Sequence, residues 1–316
     1  MQVVHGHRNA PAWRGAAIAI GNFDGVHVGH RALIQRAREL AAARDALTVA
    51  LTFDPHPSML FAPGSAPARI SSIARRLELL ADAGVDAVVV EPFTRELACV
   101  APDAFIDDIV LTALRARAIV VGYDFSYGQG RAGTVDALTA HGRAAGVDVA
   151  IVPPVTVDGE VASSTRVRAL MRSGDLVRTE RMLGRPWDVD GVVVQGAQRG
   201  RAIGIPTANI RPEIDLPIAS GIYAVTLAVE GGPALPAVAS LGTNPTFVAD
   251  GPAVLEVHVL DWNGDLYGRR VRTAFHAWLR EERAFSSVEA LLVQIDRDIL
   301  EARDVLARRA RSPDPS

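Results

Sequence analysis

The sequence predicts a two-part molecule: an α/β domain on a doubly wound parallel sheet, then an antiparallel β-barrel that ends in a helix. Three observations predict it. In the first half, short apolar or β-branched runs alternate with segments of helical spacing, the pattern of βαβ units. After about residue 185, strand-like runs follow one another across Gly/Pro/Asn/Asp turns, as in a compact barrel. From Val288 to about Arg309, one apolar stripe runs through Leu291, Leu292, Ile295, Ile299, Ala302 and Leu306, which is a helix with one buried face.

The elements follow in chain order. Strands are expected at Ala16–Ile20, Leu47–Phe53, Ala87–Val90, Ile119–Gly122 and Val147–Val152. Helices are expected between them, over Arg31–Arg44, Ser71–Ala83, Pro102–Ala116 and Val135–Ala145. Barrel strands are expected at Trp187–Gln195, Gly221–Val229, Leu235–Leu241, Val254–Leu260 and Val271–Trp278. Ser286 and Glu289 have the spacing of a capping box before the last helix, and Arg311–Ser316 reads as a frayed tail. The change of texture near Gly184–Pro186 divides the chain into domains 1–184 and 185–316.

Composition narrows the chemistry. The chain has 316 residues and a net charge of −3, which argues against nucleic acid as a main partner. Cys99 is the single cysteine, so an internal disulfide framework and a cysteine-rich zinc site are excluded; it is expected as a small buried apolar residue. Neither a signal peptide nor a membrane-spanning run is visible, so the expectation is a soluble cytoplasmic protein. The sequence contains no lysine. That excludes the Walker A loop, the lysine-dependent scheme of protein kinases and Schiff-base chemistry. Any ATP here is handled by arginine, histidine, backbone amides and a metal.

Residues 21–34, GNFDGVHVGHRALI, join the strand Ala16–Ile20 to a helix through a glycine turn. Free N–H groups and a helix dipole there favour an anion. His27 and His30, three apart, fall on one face and can donate to phosphate oxygens. Taken alone, such a pair is more often a cap than a catalytic group. A second helix start, Ser163-Ser164-Thr165-Arg166-Val167-Arg168, offers hydroxyls, amides and an arginine fork to a further phosphate. Asp54-Pro55-His56-Pro57 follows another strand.

These residues resemble a known family. GNFDGVHVGH with SSTRVR resembles the nucleotidylyltransferases. FDPHP and VGYDFSYGQGRAG narrow the likeness to the FAD synthetase half of the bacterial bifunctional riboflavin kinase/FMN adenylyltransferases. The resemblance implies a Rossmann-like domain in which the FMN phosphate attacks the α-phosphorus of ATP and pyrophosphate leaves. It places Gly21, Phe23 and Asp24 on ATP, His27 and His30 on the transferring phosphate, and Ser164, Thr165 and Arg168 on the β- and γ-phosphates. Asp124 and Phe125 match the flavin-contacting segment, with Tyr123 where glutamate is common and Tyr127 where phenylalanine is common.

In the second half, Gly196-Ala197-Gln198-Arg199-Gly200-Arg201-Ala202-Ile203-Gly204 is rich enough in glycine for backbone amides to approach a polyphosphate. Thr207 and Asn209 point to one side if extended, and two neutral oxygens there suit magnesium shared with ATP and water. Glu256 alternates with Leu255 and Val257 and is expected to point into a barrel mouth, where a carboxylate can serve as base for a hydroxyl. From alternation alone, a surface charge is the commoner reading. PTAN, GIYAV, LEVHVLDWNGDLYG and the terminal helix resemble a riboflavin-kinase-type barrel. The resemblance implies transfer of the ATP γ-phosphate to riboflavin, with Gly196, Arg199, Gly200, Arg201 and Gly204 on ATP, Thr207 and Asn209 on Mg2+, and Glu256 as base. Ser240 stands where asparagine is common, and Asn244 where arginine often stands. Two other readings are open at this point: a barrel that only binds flavin, and a nucleotidyltransferase for another phosphorylated substrate. In all three the partners are small molecules.

Overall fold

The structure, a computed structural model, describes residues 1–61, 63–196, 204–242 and 254–311. It forms two compact units, Met1–Pro67 with Ile73–Ser164, and Ala68–Ser72 with Thr165–Ser316. Residues 165–184, on the first-domain side of the composition change at Gly184, group here with the barrel.

The first unit is built on six strands: β1 (Gln2–His5), β2 (Ala16–Ile20), β3 (Leu47–Asp54), β4 (Ala87–Pro92), β5 (Ala116–Gly122) and β6 (Asp148–Val152). All are parallel, in the order β1-β4-β3-β2-β5-β6. The sequence Ala-Ala-Ile-Ala-Ile of β2 shows why both faces are covered. Ala17 and Ala19 lie in one core with Leu33, Ile34, Ala37 and Ala41 of the helix Val28–Ala42. Ile18 and Ile20 fill the opposite core with Phe105, Ile106, Ile109 and Val110. Small residues on one face and large ones on the other set how closely each helix layer packs. Phe105–Ala113 is a π-helix entered from Pro102–Ala104. It stops before Ala116, where β5 begins, so the expected helix over Pro102–Ala116 ends earlier than its apolar spacing indicates.

Strand order reverses between β2 and β5, the point at which open α/β sheets leave a crevice outside their carboxyl ends. Gly21–His30 follows β2 and Gly122–Gly133 follows β5, so both motif segments leave the sheet there. A small hairpin, β7 (Thr156–Val157) and β8 (Glu160–Val161), precedes the helix Ser164–Arg172.

In the second unit, β9 (Trp187–Val194), β10 (Ala208–Pro212), β11 (Gly221–Val229), β12 (Ala234–Gly242), β13 (Val254–Val259) and β14 (Arg270–Arg280) close into an antiparallel barrel in the order β10-β13-β12-β11-β14-β9. Trp187, Tyr223 and Phe275 fill its interior, with Trp187 and Phe275 ring centroids 4.9 Å apart. The indole of Trp187 donates to the Ile70 carbonyl at 2.8 Å. The terminal helix is Val288–Arg311. Its cap is Ser287, whose hydroxyl accepts from the Ala290 N–H at 3.2 Å; the expected Ser286–Glu289 box is one residue out of register.

One element was not anticipated from the sequence, and one further reading needs correction. Gln2–His5, unremarkable in sequence, is an edge strand. Cys99 is exposed: it terminates the one-turn helix Arg95–Ala98, where its N–H is bonded to the turn and its side chain stays outside the core.

Candidate active sites

The turn after β2 is held in an unusual backbone conformation. Phe23 (φ 50°), Gly25 (φ 80°) and Val26 (φ 42°) all lie at positive φ. For phenylalanine and a β-branched residue this is strained, at a cost of order 1–3 kcal/mol each. Phe23 and Val26 are fully buried, and that burial offsets the strain. The turn delivers His27 as N-cap of the helix Val28–Ala42, its Nδ1 accepting from the His30 N–H at 3.3 Å. A ring nitrogen that accepts leaves the proton of neutral His27 on Nε2. The two imidazoles stack with centroids 3.6 Å apart, and Phe23 meets His30 edge-on at 5.2 Å. Gly29 makes this possible, since a Cβ there would lie 3.1 Å from the His27 ring and 3.3 Å from the Ala162 carbonyl oxygen.

Burial holds the His30 imidazole well below the ordinary histidine range, and His27 and the Arg76 guanidinium add to the effect. Among the described residues, His30 Nδ1 is a buried polar atom without a hydrogen-bond partner. Asp24 is buried, and its carbonyl accepts from the Ser164 hydroxyl at 3.0 Å. Gly21 lies in the same turn, its N–H bonded to the Leu51 carbonyl. The structure thus brings together Gly21, Phe23, Asp24, His27, His30 and Ser164. Thr165 and Arg168 belong to the other compact unit, where Arg168 is buried and its Nε donates to the Ala68 carbonyl at 2.6 Å.

After β5, Asp124 is exposed and Phe125 half-buried. Phe125 stacks on Tyr127 at 5.5 Å, and Tyr127 packs against Phe105 at 5.9 Å. Burial, with Asp103 nearby, pushes the Tyr127 hydroxyl above its usual range. The Tyr127 ring rests on Gly133 and Gly128 on the Pro102 backbone, both too close for a Cβ.

Two features here escaped the sequence reading. Arg76 is almost fully buried, its guanidinium donating to the Thr52 hydroxyl and the Phe53 carbonyl at 3.4 and 3.3 Å. Its signal was an arginine on the apolar face of Ile73–Asp82, beside Leu79 and Leu80. Phe53, Phe61 and Phe93 form an edge-to-face cluster, with centroids 5.8 and 6.0 Å apart, at the carboxyl ends of β3 and β4. Phe61 is 69% exposed, and nothing in the periodicity marked it.

In the barrel unit, β10 and β12 flank β13. Glu256 is register partner of both Asn209 and Ser240. Leu255, Val257 and Val259 are buried while Glu256 and His258 alternate with them. Glu256 therefore lies on the outer wall of the barrel and not in its mouth. That wall and the terminal helix border an open cavity of about 330 Å³. Thr207, Ser240 and Glu256 line its barrel side, and Leu291, Ile295 and Ile299 its helix side. His258 Nδ1 bonds the Pro206 carbonyl at 2.8 Å, which ties β13 to the residue before Thr207. The Asn209 amide lies against Gly196, where a Cβ would collide with it. Gly204 is a turn residue at φ 83°. Arg199, Gly200 and Arg201 lie outside the described residues, as do Ala197 and Asn244.

A chelated carboxylate anchors the helix wall. Asp298, 3% exposed, accepts from Arg280 Nε at 2.9 Å and Nη2 at 2.7 Å, and from the Gln294 amide at 2.7 Å. Among the described residues, no group of three or more His, Cys, Asp or Glu could hold a metal ion. No described helix is long and apolar enough to cross a membrane.

One unit thus carries a switch-point turn with paired histidines, and the other a barrel with a carboxylate-lined cavity. Residues 9–166 match the FAD synthetase family and residues 183–306 the riboflavin kinase family. A bifunctional riboflavin kinase/FMN adenylyltransferase of Pseudomonas fluorescens is 39% identical over 98% of this chain and 99% of its own length. Its Escherichia coli K12 counterpart is also 39% identical, over 95% and 96%; that of Listeria monocytogenes is 36% identical, over 92% of each. A solved structure described as a macrolide-efflux protein from Streptococcus pneumoniae superposes with a TM-score of 0.85 at 29% identity, covering 96% of this chain and 99% of that one. The chain belongs to the bifunctional riboflavin kinase/FMN adenylyltransferase family. It phosphorylates riboflavin to FMN in its C-terminal domain and adenylylates FMN to FAD in its N-terminal domain.

Proposed function

We propose that the two reactions use separate residue sets, one at the switch point of the sheet and one on the outer wall of the barrel. For adenylyl transfer, an FMN phosphate oxygen bonds the α-phosphorus of ATP as the bond to the β-phosphate oxygen breaks and pyrophosphate leaves. This needs alignment and donors, not an enzyme nucleophile. Gly21, Phe23 and Asp24 form the ATP turn. His27 and His30 donate to the α-phosphate; the unpartnered Nδ1 of His30 supports this role. Ser164 serves the outer phosphates, and Thr165 and Arg168 keep the same role on the resemblance alone. Asp124 and Phe125 meet the flavin, and the exposed Phe61 with Phe53 and Phe93 offers its ring system an aromatic surface.

For phosphorylation, Glu256 takes the proton of the ribityl 5′-hydroxyl as that oxygen bonds the γ-phosphorus and ADP leaves. The observation that carries this is the pairing of Glu256 with Asn209 across β10 and β13, beside a cavity of about 330 Å³, a volume within the range of small-molecule sites. Thr207 and Asn209 supply neutral oxygens and the described residues supply no metal cage. This donor set fits Mg2+, which takes most of its shell from phosphate and water. When bound, the ion offsets the charge on the transferring phosphate. Gly196 and Gly204, with Arg199, Gly200 and Arg201, complete the ATP loop. The partners are riboflavin, FMN and ATP, without nucleic acid or membrane, and the setting is the cytoplasm.

The test is Asn209→Ala, with products separated by chromatography. FMN formation from riboflavin is expected to be abolished while FMN-to-FAD conversion continues. Equal loss of both steps in a folded protein contradicts the division.

A further inference from the structure

The kinase cavity contains a second carboxylate that the scheme above leaves without a task. Glu282, just beyond β14, accepts from the Ser240 hydroxyl at 3.2 Å. Its carboxylate occupies the space that a side chain at Gly242 would fill. Ser240 is in turn the register partner of Glu256, so the two acids share one stretch of barrel wall. Both line the cavity. Burial raises the Glu282 carboxyl above the usual range; Ser240 and Arg280 work against this, and Glu256 adds to it.

The other charges around the cavity are differently placed. Arg280 is committed to Asp298 through a two-pronged bond, so that pair is close to neutral. Arg283 bonds Gln294 and lies 5.1 Å from the centroid of the Phe285 ring, on the side of the terminal helix. His258 is held by the Pro206 carbonyl. The barrel wall is therefore the negative side of the cavity.

We propose that Glu282, held by Ser240, is a specificity-determining residue that makes the kinase site favour the neutral alcohol over its own phosphorylated product. The inference rests on the assignment of Glu256 as base. Phosphorylation then creates a dianion beside Glu256, which passes the hydroxyl proton on to water, with Glu282 one hydrogen bond from the residue paired with it. Glu282 is exposed and Glu256 half-buried, so the repulsion is modest and screened by salt; discrimination by repulsion is a common route to specificity. The neutral substrate incurs no such penalty, and the product is driven out.

The experiment uses the full-length protein at pH 8, measuring ADP release from riboflavin and ATP with added FMN as inhibitor. The readout is the ratio of the FMN inhibition constant to the riboflavin KM. Glu282→Gln is expected to lower that ratio by roughly threefold to tenfold, Glu282→Asp to restore it, and salt to shrink the difference between them. A ratio that is unchanged in Glu282→Gln, or that falls equally in Glu282→Asp, overturns the proposal. FMN-to-FAD conversion by the same preparations reports that the chain is folded. Absence of riboflavin phosphorylation by the unaltered protein would instead contradict the kinase assignment, so the two failures are distinguishable.

Discussion

At neutral pH His30 is an uncharged imidazole, because burial beside His27 and Arg76 disfavours its protonated form. An uncharged imidazole offers a phosphate an N–H donor and not a fixed cation. Gly29→Ala is expected to shift the His27 ring by a few tenths of an ångström, since the new methyl would lie 3.1 Å from it. FAD formation from FMN should fall severalfold for a displacement of this kind, with riboflavin phosphorylation intact; comparing the two rates in one preparation checks it. The motif GNFDGVHVGH was legible because the strand, the glycines and the histidines are contiguous. Arg76 and the phenylalanine cluster were not, because helix Ile73–Asp82 and the ends of β3 and β4 converge only after folding. Glu256 was legible as a residue, but not in its placement. Strict alternation assigns it to a face without saying whether that face is the inside or the outside of a closed barrel.

At the scale of elements, the terminal helix is held to the barrel by discrete polar contacts as well as by its apolar stripe. Asp298→Ala would leave the largely buried Arg280 guanidinium without its carboxylate. Losing one member of a buried pair costs about 3–5 kcal/mol, so a lower melting temperature and a higher riboflavin KM are expected. His276 of β14 is a second control point. Its Nε2 meets the Thr226 hydroxyl at 3.0 Å, and its Nδ1 is a buried polar atom without a partner among the described residues. Burial, with Arg309 adding, lowers its pKa to about 4. The unfolded chain takes up a proton near pH 6.5 and the folded chain does not. Stability from this site is therefore complete above that value and lost as pH falls toward 4, by about 3 kcal/mol. Thermal melts between pH 7 and 4 should show the decline, with a shallower slope in His276→Gln. No shallower slope would mean that other groups carry the acid sensitivity. Element boundaries were legible where turn residues flank a pure period, as at Val135–Ala145 and Gly221–Val229. They blurred at the π-helix Phe105–Ala113, whose apolar run continues into β5.

For the whole molecule, two fold classes in one chain were visible as a change of periodicity, because a parallel sheet covered on both faces and a barrel impose different patterns. Strand order was not visible, and the reversal between β2 and β5 is what gives the histidine turn its place. Each of the two ATP-dependent steps is proposed to have its own chemical groups. Glu256→Gln tests this most directly, with flavins followed by chromatography from riboflavin and, separately, from FMN. With riboflavin, FMN formation should drop by about a hundredfold or more, the effect of removing a general base. With FMN, FAD should form at the rate of the unaltered protein. A parallel loss of both steps in folded protein, or full FMN formation without the Glu256 carboxylate, would rule out separate chemical groups for the two reactions.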